Sequence, residues 1–192
     1  MLAAFVSHPD CTRHEMGPGH PECPERLAAI QDRLLAASLL DYMLPCGAPL
    51  ATEEELERAH SALYVRQVLE SAPADDDSRK LRGAPNMVNV GLPRRRGSEA
   101  FRVAVNEHWL PALEAFKPEL IVVSAGFDAH REDDMGNLAL VDADYEWVTR
   151  QLMRVAKRHA RGRVVSCLEG GYVLNPLARS VAAHVKVLIG AD

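Results

Sequence analysis

A chain of 192 residues with 47% hydrophobic and 26% charged side chains has the size and mixture of one ordinary globular domain, which excludes a fibrous or disordered protein. The net charge is -5 and the densest basic run is Arg94, Arg95 and Arg96, too short an electrostatic track for nucleic acid, so no nucleic-acid partner is expected. No segment approaches the ~20 apolar residues that cross a bilayer, no basic stretch precedes the N-terminal apolar residues, and four scattered cysteines (Cys11, Cys23, Cys46, Cys167) fit reduced thiols. A cytoplasmic protein with no membrane partner is the expectation.

In chain order, residues 2–6 suggest a short buried strand, and the Gly-, Pro- and His-rich stretch 8–23 a structured loop. Pro24 suits a first helical turn, where its missing N–H costs nothing, and Leu27, Ile30, Leu34 and Leu35 follow at helical spacing. Thr52 with Glu55 matches a capping box that starts a second helix, and a third is placed over residues 62–69. The APADDDSRKLRGAPN segment, 72–86, loses periodicity and reads as a junction. A short strand is expected over 87–92 and a long amphipathic helix over 98–116, kinked by Pro111.

The C-terminal half alternates apolar runs with helices: LIVVS at 120–124, a helix over 142–161, VVSC at 164–167 and a helix over 177–188. Continuous apolar strands between helices indicate a parallel sheet covered on both faces, an α/β fold. Ligands bind such sheets beyond the carboxyl ends of the strands, where two polar segments begin. After LIVVS come Asp128 and His130; after VVSC come the Gly170-Gly171 pair and Tyr172. Asp128 is a candidate metal ligand or a loop-bridging carboxylate, and His130 a candidate companion. Tyr172 is a candidate donor to a developing oxyanion, with the glycines allowing close backbone approach, or an ordinary tyrosine at a sheet edge. Cys11, His14, His20 and Cys23 form a C-x2-H, H-x2-C array, readable as a structural zinc site or as a rigid loop lining a pocket.

These segments, RHEMGPGHPECPERL (13–27), VNVGLP (88–93), ELIVVSAGFDAHREDDMGNL (119–138) and CLEGGYVLN (167–175), resemble the histone deacetylase family, especially its bacterial deacetylase-like and class II branch. The resemblance implies a three-layer α/β domain with a mostly parallel sheet, arginase-like, and zinc-dependent hydrolysis of acetyl-lysine or other acetylated amines. It implies Asp128 as the last zinc-binding aspartate, Tyr172 as the carbonyl-polarising tyrosine, and the loop with His20 as the one that shapes the substrate entrance, while Gly170 and Gly171 are taken as substrate-binding from their place beside Tyr172. The family's Pro-Gly-His-His segment and its Asp-x-His-His-Gly-Asn-Gly segment have no counterpart in this sequence. The expectation is therefore a single domain over 1–192, internally truncated at about 72–86, without the central strands and helices, and with weak or no hydrolase activity alone. A non-catalytic binding or assembly module derived from a deacetylase is the alternative. Loss of interior strands would leave apolar sheet edges exposed, which predicts either a less stable monomer or association of copies into a homo-oligomer through that surface.

Overall fold

The computed structural model describes residues 3–14, 16–70 and 88–191, and the 72–86 junction lies outside them. The chain divides into two compact units, one formed by residues 1–46 with 88–192 and one by residues 47–87. In the smaller unit, α2 (Glu53–Glu57) begins at the expected capping box: Thr52 Oγ1 accepts the Glu55 amide at 3.3 Å, and the Glu55 carboxylate accepts the Thr52 amide at 2.9 Å. It is followed by α3 (Ala62–Glu70), which buries Val65.

The larger unit carries two two-stranded sheets among the described residues. One pairs β1 (Ala3–Ser7) with β2 (Met43–Gly47); the other pairs β3 (Ile121–Ala125) with β4 (Val164–Leu168) in parallel, Ile121 opposite Val164 and Ala125 opposite Leu168. A parallel pair needs a long crossover, and the 18-residue helix α6 (Asp142–His159) supplies it. α1 (Glu25–Ala36) and α7 (Leu174–Ile189) belong to the same unit. Ile30 and Leu34 of α1 and Leu177, Val181, Ala182 and Ile189 of α7 close around Phe127, Leu140 and Tyr145, and a smaller cluster joins Ile121 to Val155, Ala156 and Ala160. The expected α/β architecture and parallel pairing are present. No described helix is long and apolar enough to cross a membrane.

Two local expectations change. Residues 88–92 form no strand and join neither two-stranded sheet among the described residues. The 98–116 helix is broken into α4 (Ser98–Ala104), a π-helical turn over Val105–Trp109 and α5 (Leu110–Phe116). Pro111 has no N–H to continue the α ladder, and the Leu110 amide just before it reaches back five residues to the Val105 carbonyl.

The start of α6 is fixed by Asp144, whose carboxylate is fully buried yet saturated: one oxygen accepts Ser98 Oγ at 2.6 Å and the Val141 amide at 3.1 Å, the other two Arg102 nitrogens at 3.1 and 3.0 Å. A buried carboxylate is tolerable only with this many donors. Arg102 also lies over the Trp147 ring, tying α4 to α6.

Candidate active site

The segment leaving β3 and the segment leaving β4 meet. The Phe127 amide donates to the Gly170 carbonyl at 2.8 Å, and the Tyr145 hydroxyl on α6 donates to the Phe127 carbonyl at 2.9 Å, so the chain leading into Asp128 and Tyr172 is anchored. Asp128 is half-buried against Gly170: a Cβ on that glycine would stand 2.8 Å from Asp128 Oδ1, so glycine is the residue that admits the carboxylate. Gly171 follows at φ +116°, where an L side chain is strained, and a Cβ there would meet Leu177 at 2.8 Å and Phe127 at 3.0 Å. Burial pushes the Asp128 carboxyl above the usual range, and the charges of Glu169 and Asp133 push the same way.

Tyr172 is held through its backbone and its ring. Asp133, almost fully buried, accepts the Tyr172 amide at 2.7 Å and the Val173 amide at 3.1 Å on Oδ2, and the Met135 amide at 3.0 Å on Oδ1. Its charge sits at the start of α7, where a negative group is favoured. Arg26, 3% exposed, donates Nε to the Gly171 carbonyl at 2.6 Å and Nη2 to the Glu169 carbonyl at 2.5 Å, pairs with Glu22, and lies 5.0 Å from the Tyr172 ring centroid. Burial raises the Tyr172 hydroxyl above its ordinary value, with Glu169 and Asp128 adding to the effect and Arg26 opposing it. The phenol therefore stays protonated at neutral pH, and its hydroxyl makes no hydrogen bond within the described residues.

The remaining candidates named from the sequence lie elsewhere or have other occupations, and His20 is one of them: it is exposed, and its Nδ1 accepts the Glu22 amide at 3.0 Å, shaping the loop that delivers Glu22 to Arg26. His130 does not join Asp128. It is buried with Nδ1 accepting the Glu132 amide at 3.1 Å and Nε2 3.5 Å from Asp142. All eight histidines and four cysteines are among the described residues, and within those residues no three His, Cys, Asp or Glu side chains converge to hold a metal ion. The Cys11, His14, His20 and Cys23 array is accordingly not gathered, and Cys11 is exposed.

Arg26 and Asp133 are not among the residues the sequence singles out. Arg26 has a retrospective signal, since it stands on the stripe of Ile30 and Leu34 at four-residue spacing, a charge where the core face is expected. Asp133 sits in the acidic Glu132-Asp133-Asp134 run, which reads as solvated surface.

The geometry defines an α/β protein whose two strand-end segments bring a desolvated carboxylate beside a braced, protonated tyrosine. Residues 73–188 match the model of the histone deacetylase domain. The chain is 43% identical over 107 residues to type-2 histone deacetylase 2 of Dictyostelium discoideum, covering 54% of this chain and 6% of that protein. It is 40% identical over 116 residues to the chloroplastic histone deacetylase 14 of Arabidopsis thaliana, covering 60% of this chain and 27% of that one. The crystal structure of the HDA15 HD domain superposes with a TM-score of 0.74 at 19% identity, over 99% of this chain and 90% of that one, a likeness of fold. The chain belongs to the histone deacetylase family. It spans well under a third of the length of these two sequence relatives.

Proposed function

We propose that this chain keeps the carbonyl-binding half of a deacetylase site and has little or no hydrolase activity by itself. Tyr172 is the donor to the carbonyl of an acetylated lysine or amine, Gly170 and Gly171 let the backbone approach that substrate, and the His20 loop borders its entrance. Asp128 is the retained metal-side carboxylate. The observation that carries this reading is the double brace on Tyr172, by Asp133 through the backbone and Arg26 through the ring, next to a desolvated Asp128.

Zinc hydrolysis needs three protein ligands and an activated water. The described residues do not fit that requirement: Asp128 has no histidine companion, and both oxygens of the nearby Asp133 are already engaged by backbone amides. No hydrolytic step is therefore assigned to a metal in this chain. A reducing, cytoplasmic setting, supported by four free cysteines, belongs to the same proposal, with no nucleic-acid or membrane partner.

Binding and turnover of an acetyl-lysine peptide test the proposal together. The chain is expected to bind the acetylated peptide more tightly than the free-lysine peptide, to lose that preference in Tyr172→Phe, and to release no acetate above background. Catalytic acetate release that is sensitive to Tyr172→Phe would overturn it in favour of a rebuilt active hydrolase.

A further inference from the structure

Strand β3 has two edges with different fates. The Ile121 amide donates to the Arg163 carbonyl and the Ala125 carbonyl accepts the Glu169 amide, so Ile121, Val123 and Ala125 turn their peptide groups toward β4. The alternation of a strand then turns the peptide groups of Val122, Ser124 and Gly126 the other way. Those groups have no hydrogen-bond partner among the described residues.

Along this open edge runs a cavity of about 330 Å³, lined by the five consecutive residues from Val123 to Phe127 and by no residue of β4. Its walls include Val90, Leu92, Phe101, Val105, Leu140 and Val148, with no lysine, arginine, aspartate or glutamate among its lining residues. The one imidazole in the wall, His184, is buried and bonded to Thr149 and Ser166.

Two requirements are thus set on whatever fills this groove. It must present alternating donors and acceptors that repeat every ~6.6 Å, the two-residue repeat of a parallel strand, and it must bring uncharged, apolar side chains. A nucleic acid or a charged small molecule meets neither. The same edge of a second copy lies between the same walls, whereas a free extended segment can enter.

We propose that the outer edge of β3 is a docking site for an extended, uncharged, apolar segment of a separate polypeptide, added as a third strand beside Val122, Ser124 and Gly126. This site is independent of the acetyl-lysine reading, since it uses neither Tyr172 nor Asp128.

The test uses the whole chain and a fluorescein-labelled, amide-capped uncharged peptide, GVAVAVG, with an analogue N-methylated on alternate residues so that its ladder-facing amides cannot donate. Binding is read by anisotropy, and hydrogen exchange by NMR at Val122, Ser124 and Gly126. Saturable 1:1 binding is expected, weakened about fivefold or more by N-methylation, with the three amides exchanging freely in the chain alone and protected in the complex. Ser124→Pro removes a donor that β4 does not use, so binding should weaken while the circular dichroism spectrum is kept. If that variant fails to fold, the exchange data on the unaltered chain decide. Absence of saturable binding, equal binding of the N-methylated peptide, or protection of the three amides in the free chain, including by self-association seen in light scattering, would overturn the proposal.

Discussion

His184 makes the stability of the larger unit depend on pH in a window that can be worked out in advance. The Thr149 hydroxyl donates its single proton to the Tyr145 carbonyl at 2.6 Å, so toward His184 Nδ1, also at 2.6 Å, it can only accept. Nδ1 therefore carries the hydrogen of the neutral ring, and Nε2 accepts from Ser166 Oγ at 2.8 Å. This relay ties α6, α7 and β4 together, and a second imidazole proton would require the Ser166 hydroxyl to turn from donor to acceptor and would place a charge in a buried site. Burial pushes His184 down from 6.5 to about 4. The sign follows: as pH falls, the unfolded chain takes up the proton first, so stability is complete above about 6.5 and is lost as pH falls through about 4. At ~1.4 kcal/mol per pH unit, the contribution lost across that window is about 3 kcal/mol. Urea unfolding followed by the fluorescence of Trp109 and Trp147 at closely spaced pH values measures it. His184→Gln should be less stable at pH 7 but lack most of the slope between pH 6.5 and 4. An unchanged slope in the variant would refute the assignment of that proton to His184.

Three further perturbations probe the site segments. Asp133→Ala leaves the Tyr172, Val173 and Met135 amides without their acceptor and should cost about 2–4 kcal/mol in urea unfolding, whereas Asp133→Asn, which keeps one acceptor oxygen, should cost less. Gly171→Ala combines positive φ with contact against Leu177 and Phe127, so it should destabilise by about 2–4 kcal/mol; Gly19→Ala, at φ +79° in open space, should cost only about 1 kcal/mol. Arg26→Met removes the donors to the Gly171 and Glu169 carbonyls and should lower stability by about 3 kcal/mol, with a change in the near-ultraviolet signal of Tyr172.

The parts of the fold that are legible in sequence are those governed by local pattern. The runs that become β3 and β4 and the periodic stretches of α1, α6 and α7 fall within a few residues of where they are expected, and α7 starts earlier because Pro176 is tolerated in its first turn. Strand β2 is not legible: Pro45 argues against a strand and most of its residues are exposed, so neither propensity nor alternation marks it. Residues 88–92 show the converse, a strand-like composition that takes no strand conformation and joins neither sheet among the described residues. That Asp128, Gly170, Gly171 and Tyr172 lie just beyond strand ends is legible because strand ends and glycine turns are local features. Arg26 is not, because its carbonyl partner at Gly171 is 145 positions away and only tertiary packing brings them together. Open sheet edges are expected from the missing central segment, but that the outer edge of β3 is one of them is a property of pairing, which no single segment encodes.

Whether the chain keeps the carbonyl side of a deacetylase site without a working metal centre is tested most directly by metal analysis of the purified chain after incubation with zinc and gel filtration. Zinc well below one equivalent is expected, with no difference between the parent chain and Asp128→Asn. One equivalent of zinc that is lost in Asp128→Asn, together with acetyl-lysine hydrolysis lost in the same variant, would contradict that central claim.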